Sequence, residues 1–345
     1  MCYNPKESCF LYARAAVRLQ KSAGLDSMDL RQGETMTRIV FMGTPDFSMP
    51  TLQAVAQRYP IAGVVTQPDR PAGRGKRIVA PPVKETALAL GLPVYQPTSL
   101  RTPEAEQRLA EWQPDLILVA AFGQILQAAI LDLPPHGCLN VHASLLPRYR
   151  GAAPISAAIL NGESTTGVTI MRMDEGMDTG PILAQASCPI TADDTTGTLT
   201  ATLADLGAHL LVDTLPSWLG GELAAQPQDH EQATYCRPLT KEDGRLDWTQ
   251  PAEFLGRQIR ACNPWPGAFT TWQGRRLKIL LARPHPGDPD NRPPGQVIAL
   301  GSGIGVVTGA GLLELAEVQL AGKNAMDAQQ LARGQRDFVG GILDR

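Results

Sequence analysis

What the chain lacks narrows it first. Across 345 residues no apolar run approaches the roughly 20 that a helix needs to cross a bilayer, so no membrane association is expected. Cysteine is sparse and scattered, at positions 2, 9, 138, 188, 236 and 262, with no C-x-x-C. That is no disulfide framework, and it fits a reducing cytoplasm better than secretion; Cys138 and Cys188 lie in apolar runs and read as small hydrophobes. There is no G-x-G-x-x-G, so a dinucleotide site has little support. There is no H-x-x-x-H, so His142 has no metal-ligand partner at recognisable spacing, and no metal is expected. There is no G-x-S-x-G elbow, so Ser144 is a poor candidate for a hydrolase nucleophile.

What is present describes a soluble chain of two domains. Hydrophobic content is 43% and charged content 19%, ordinary values for sizeable cores. The net charge of −3 is uneven. Residues 239–345 carry thirteen Lys and Arg against eleven Asp and Glu, whereas 36–238 carry thirteen against nineteen. The C-terminal third is therefore the more basic part. Residues 1–35 show no sustained periodicity and are expected to be a disordered extension, with the first domain starting at Met36.

From Met36 onward, buried strands alternate with helices. Expected strands are Arg38–Gly43, Ile61–Thr66, Leu92–Tyr95, Leu116–Ala121, Gly167–Met173 and Ile182–Ile190. Pro82–Leu90 and a segment capped by Thr102 with Pro103 at its first position read as helices, and Thr195-Thr196 opens a long one reaching about Trp218. This predicts an α/β domain with a mostly parallel sheet over 36–223, then a linker at 224–238. From 239 to 345 one helix, Ala252–Ala261, is followed by short apolar runs between turns, which predicts a smaller OB-like β-barrel. Between the second strand and its helix lies a long cationic stretch. From Asp69 to Lys84 it holds five basic residues, at positions 70, 74, 76, 77 and 84, against one acid. Its glycines and prolines predict an irregular, mobile loop; it suits a phosphate backbone, but on composition alone a solvated loop with incidental charge is the commoner reading.

The stretch Gly137 to Pro154 carries the chemistry. Cys138–Val141 reads as a buried strand, and residues two apart on a strand share a face, so Asn140 and His142 project together. A carboxamide can donate to a developing oxyanion and an imidazole can move protons near neutral pH. The bland alternative is a structural Asn–His pair closing a turn. Asp178, bracketed by Gly176 and Gly180, is the third polar residue expected beyond the ends of neighbouring strands, where open α/β sheets bind ligands.

Asn140-Val-His142, Ser144-Leu-Leu-Pro147, Arg150-Gly-Ala-Ala-Pro154 and Asp174-x-Gly-x-Asp-Thr-Gly180 together resemble the signature of the folate-dependent formyltransferase family. Phe41-Met-Gly-Thr-Pro-Asp-Phe47, Thr66 to Lys76, Asn263-Pro-Trp-Pro-Gly267 and Ala321-Gly-Lys-Asn-Ala-Met326 narrow the resemblance to its methionyl-tRNA branch. The resemblance runs from Met36 to near the C-terminus. It implies a cytoplasmic enzyme, monomeric and without metal, that takes formyl from 10-formyltetrahydrofolate and delivers it to methionyl-initiator tRNA. It implies catalytic roles for Asn140, His142 and Asp178, a folate contact at Ser144, Leu145, Leu146 and Pro147, and a tRNA-binding loop containing Arg70, Arg74, Lys76 and Arg77. The C-terminal domain would grip the tRNA as well. Two rivals remain at this stage. A formyltransferase or hydrolase acting on a small molecule is disfavoured by the Arg70–Arg77 loop, and a non-catalytic RNA-binding protein by the three intact polar positions.

Overall fold

The computed structural model of the chain describes residues 37–72, 77–288 and 290–344. The expected extension at 1–35, and with it Arg74 and Lys76 of the cationic loop, lie outside the described residues. The chain divides into two compact units. The described part of the first runs to Gly151 and adds Thr165–Pro189 and Thr200–Tyr235; the second comprises Ala152–Ser164, Ile190–Leu199 and Cys236–Arg345.

In the first unit the uninterrupted apolar runs become the buried strands β1 (Ile39–Gly43), β2 (Ile61–Val65) and β6 (Leu116–Ala120). Between β2 and β6 lie a ribbon of β3 (Arg70–Ala72) and β4 (Arg77–Val79) and the partly buried β5 (Val94–Tyr95). They are followed by β7 (Cys138–His142), the two-residue β8 (Arg150–Gly151), β9 (Thr165–Arg172) and β10 (Ile182–Pro189). Seven of them form one sheet in the order β10-β9-β7-β6-β1-β2-β5. The pairs from β7 through β5 are parallel, whereas β9 runs antiparallel to both β7 and β10. The mostly parallel sheet expected from the alternation is thus present, closed on one side by an antiparallel pair. Every residue of β1 and β6 is buried, which is why neither strand alternates polar with apolar.

The capping chemistry read from the sequence holds. The helix Pro103–Glu111 starts on Thr102, whose side chain accepts from the Ala105 N–H, with Pro103 in the first turn. Beneath it Gly63 of β2 lets the Trp112 ring lie against the sheet, since a Cβ there would sit 2.4 Å from ring carbons. The cationic stretch differs from the expectation. It is not irregular throughout, because β3 and β4 pair antiparallel with Arg70 opposite Val79 and Ala72 opposite Arg77. Pro71 costs this ribbon little, since a two-stranded ribbon has outer edges that need no N–H donor. At its base, Lys84 Nζ donates to both oxygens of Asp69 at 2.9 and 2.7 Å, and Gln96 Nε2 donates to Oδ1 at 2.7 Å.

The second unit is the antiparallel domain. After β11 (Tyr235–Cys236) come the helix Ala252–Ala261, β12 (Phe269–Trp272), β13 (Arg275–His285), β14 (Val297–Leu300), β15 (Gly303–Val307), β16 (Leu312–Leu320) and β17 (Met326–Asp327). The order β12-β13-β16-β15-β14, with β17 on the free length of β16, curls into the half-barrel of an OB-like domain. Register irregularities in β13 supply the bend. Gly301 and Ser302 form the two-residue β14–β15 hairpin turn, with Leu300 paired to Gly303. The core includes Trp248, Trp272 and Phe338, the last two edge-to-face at 5.2 Å.

Candidate active site

β7 positions two of the three candidate residues. It lies between β6 on its parallel side and β9 on its antiparallel side, with Val119 opposite Asn140 and His142 opposite Thr169. Strand alternation sends Asn140 and His142 to one face near the carboxyl end of the parallel strands. The third comes from the β9–β10 connection. Asp178 takes a left-handed backbone with φ +54°, which costs a residue bearing a Cβ roughly 1 kcal/mol and which Asp tolerates better than most.

The three side chains converge. Asn140 Nδ2 donates to Asp178 Oδ1 at 3.4 Å, and His142 Nδ1 lies 3.6 Å from the same oxygen. The other carboxylate oxygen, Oδ2, accepts from the Gly151 N–H at 2.8 Å. His142 is 6% exposed and the Asp178 side chain 18%, so the carboxylate is the group nearer to solvent. On the far side of the imidazole, Nε2 is 3.0 Å from the Tyr149 carbonyl. A carbonyl only accepts, so Nε2 carries the hydrogen, and Nδ1 is left as the nitrogen that can gain and lose a proton. Nδ1 and a carboxylate oxygen are both acceptors. A proton between them turns repulsion into attraction, so the pair is a place where a proton can be taken up and handed back.

The expected folate segment is anchored more than it is displayed. Ser144 is buried, and its Oγ donates to the Arg148 carbonyl at 2.6 Å. Thr169 Oγ1 donates to the Ser144 carbonyl at 2.7 Å and accepts from the Leu146 N–H at 3.1 Å. Gln185 Nε2 donates to the Leu146 carbonyl at 2.9 Å. Leu146 is buried too, whereas Leu145 and Pro147 are partly exposed, so these two side chains and the backbone are what the segment offers a ligand. Of the expected tRNA residues, Arg70 and Arg77 are exposed at the two ends of the ribbon strands, beside Ile78 and Val79, which are 66% and 48% exposed.

Sequence reasoning missed the supporting residues. Tyr149 and Arg150 are latched by Thr234, whose Oγ1 accepts from the Tyr149 N–H and whose carbonyl accepts from the Arg150 N–H, each at 2.8 Å. Gln228, inside the segment read as linker, is buried against the Asp178 turn. No local signal marks either one. Both lie in a polar run whose partners are distant in sequence.

With this geometry in hand, relatives become informative. Residues 37–215 match the model of the formyl transferase family, and 238–336 match that of the formyl transferase C-terminal domain. A methionyl-tRNA formyltransferase of Roseiflexus castenholzii is 50% identical over 301 residues, covering 87% of this chain and 96% of the relative. One from Chloroflexus aggregans is 53% identical over 293 residues, covering 84% and 94%. Among solved structures, HypX from Aquifex aeolicus in complex with tetrahydrofolic acid shares the fold with a TM-score of 0.58 at 18% identity, over 90% of this chain and 49% of HypX.

Proposed function

The chain belongs to the formyl transferase family, within its methionyl-tRNA formyltransferases, and from that premise we propose that it moves the formyl group of 10-formyltetrahydrofolate onto the α-amino group of methionyl-initiator tRNA. The product is N-formylmethionyl-tRNA for translation initiation in the cytoplasm. Among the described residues no helix is long and apolar enough to cross a membrane. The observation that carries the reading is the convergence of Asn140, His142 and Asp178 on one carboxylate oxygen, in a chain about half identical to such enzymes nearly end to end.

The amine nitrogen attacks the formyl carbon, and the C=O electron pair moves onto oxygen. Asn140 has two N–H groups; one is directed to Asp178, and the second is available to the oxyanion. A single such donor is typically worth ~10²–10³ in rate. As the new C–N bond forms, the amine must lose a proton, and as the old one breaks, the folate nitrogen must gain one. The His142 Nδ1–Asp178 Oδ1 pair takes the first and returns the second, with Nε2 fixed on Tyr149 throughout. Such acid–base help is worth ~10²–10⁴. The folate lies along Ser144 to Pro147, where the Leu145 and Pro147 side chains are partly exposed.

The ribbon and the C-terminal residues 239–345 hold the tRNA. Arg70, Arg74, Lys76 and Arg77 act on phosphate by charge. On β13, Arg276 stacks on the Phe269 ring at 3.5 Å and Lys278 lies opposite Phe269 in register, a cationic strand face of the kind that tracks a backbone. The test is incubation with labelled 10-formyltetrahydrofolate and methionyl-initiator tRNA, a nucleotide-linked amino sugar, or no acceptor. Label is expected on the tRNA alone. Transfer to the sugar, or release without transfer in all three, overturns the assignment.

A further inference from the structure

Gln228 makes four hydrogen bonds, all within the first unit. Its Nε2 donates to the Asp178 carbonyl at 2.9 Å and the Gly180 carbonyl at 2.7 Å. Its Oε1 accepts from Arg150 Nε at 3.1 Å and Nη2 at 2.7 Å. Both donors and both lone pairs of the carboxamide are thereby used. The amide cannot turn over, since a flip would set oxygen against two carbonyls and N–H against a guanidinium that only donates. Gln228 is 6% exposed and Arg150 1%.

Arg150 is itself held from several sides. Nη2 also donates to His230 Nδ1 at 3.1 Å, Nη1 donates to the Tyr235 hydroxyl at 3.3 Å, and the guanidinium lies 5.9 Å from the Tyr235 ring centre. The residue after Arg150, Gly151, gives its N–H to Asp178 Oδ2. A closed ring results: the 150–151 segment holds the Asp178 carboxylate by its backbone and, through Gln228, the Asp178 main chain by its side chain. The two carbonyls gripped by Gln228 flank Thr179, so they fix the turn in which Asp178 keeps its positive φ.

We propose that Gln228 and Arg150 are positioning residues for the Asp178 carboxylate, acting through the backbone of its turn and touching neither substrate. The inference rests on the reading of Asp178 as part of the proton-carrying pair. Oδ1 must stay close to His142 Nδ1 and Asn140 Nδ2 for that pair to work, and a misplacement of about 1 Å can cost ~10²-fold in rate. Without the clamp, the left-handed residue relaxes and carries its side chain away from the imidazole.

The experiment compares Asp178→Ala, Gln228→Met and the double variant, with kcat and KM for both substrates and thermal unfolding. Gln228→Met keeps the volume and removes all four bonds. It is expected to lower kcat by ~10²-fold with both KM values within about threefold. In the Asp178→Ala background the same change is expected to lower kcat less than threefold, since there is no carboxylate left to misplace. Full additivity overturns the inference and marks Gln228 as merely structural. An Asp178→Ala enzyme with unchanged kcat overturns the reading of the site and the inference with it, whereas a reduced kcat there beside an unaffected Gln228→Met overturns the inference alone. Should Gln228→Met not fold, Gln228→Glu retains the acceptor that Arg150 binds and replaces only the two donors. It is expected to fold and to show the same kcat-selective loss, and wild-type turnover in that variant would again overturn the clamp.

Discussion

The division of labour between the two ring nitrogens of His142 can be tested by removing Nδ1 alone and then both. A glutamine side chain reaches about as far as Nε2, so His142→Gln can keep an N–H on the Tyr149 carbonyl while removing the proton carrier at Nδ1. In His142→Ala that carbonyl, on a residue 8% exposed, loses the Nε2 hydrogen bond. Removing a buried hydrogen bond without replacement costs about 1–3 kcal/mol, whereas a hydrogen bond exchanged for another of similar geometry changes stability by well under ~1 kcal/mol. The two variants should therefore separate in thermal unfolding and coincide in catalysis. Loss of proton transfer at Nδ1 costs ~10²–10⁴ in rate, or about 2.7–5.4 kcal/mol of barrier at 1.36 per decade. The assay is single-turnover formylation of methionyl-tRNA at saturating donor, which isolates chemistry from product release. Turnover of His142→Gln within tenfold of the parent would refute the assignment of the working proton to Nδ1. Equal destabilisation of the two variants would refute the role given to Nε2.

Three further outcomes follow from other parts of the structure. Gly63→Ala places a Cβ 2.4 Å from Trp112 ring carbons in a buried setting, so urea unfolding should show a loss of about 1–3 kcal/mol; an unchanged midpoint would mean the ring shifts at no cost. Burial pushes the Cys138 thiol up to about 12 and the Cys262 thiol up to about 11, so both should resist iodoacetamide at pH 8 in the folded enzyme, and peptide mapping that finds Cys138 alkylated before unfolding contradicts this. The hydrogen bond from Gln96, and then that from Lys84, hold the Asp69 carboxyl below its ordinary range. Its folded value being the lower, its contribution is complete above that range and disappears as pH falls through the folded value. Proteolysis within the 70–79 ribbon should accordingly be faster in Asp69→Asn than in the parent at pH 7, and the two should converge in acid; equal rates at pH 7 would release the ribbon from this anchor.

The legible parts of the fold were those specified by neighbours in sequence. β1 and β6 announced themselves because strands buried on both faces have no room for polar residues. Thr102 and Pro103 announced a helix start because capping is settled within three residues, and Ala252–Ala261 was visible in full because its apolar stripe repeats. The ribbon at Arg70–Val79 was not legible. Three-residue strands around glycines leave no periodicity, and the anchor at their base, Asp69 with Lys84 and Gln96, is assembled from three separate segments.

The site divides in the same way. Asn140 and His142 could be paired from a two-residue spacing, and Asp178 from the glycines around it, because Gly176 and Gly180 sit where a Cβ would run into Thr179 Oγ1 and the Arg172 carbonyl. Gln228 leaves none. A glutamine in Gln226-Pro-Gln-Asp-His-Glu-Gln232 has the composition of a solvated connection, and what distinguishes it is burial against a turn and an arginine that are remote along the chain. Proton-carrying groups are constrained by chemistry to a few residue types, so they stand out in a sequence. The groups that hold them are constrained only by geometry, and an amide, a hydroxyl or a backbone N–H serves equally well: here Gln228, Thr234 and Gly151. For that reason the resemblance to known enzymes could nominate the reacting trio, while the residues that make the trio work had to wait for the fold.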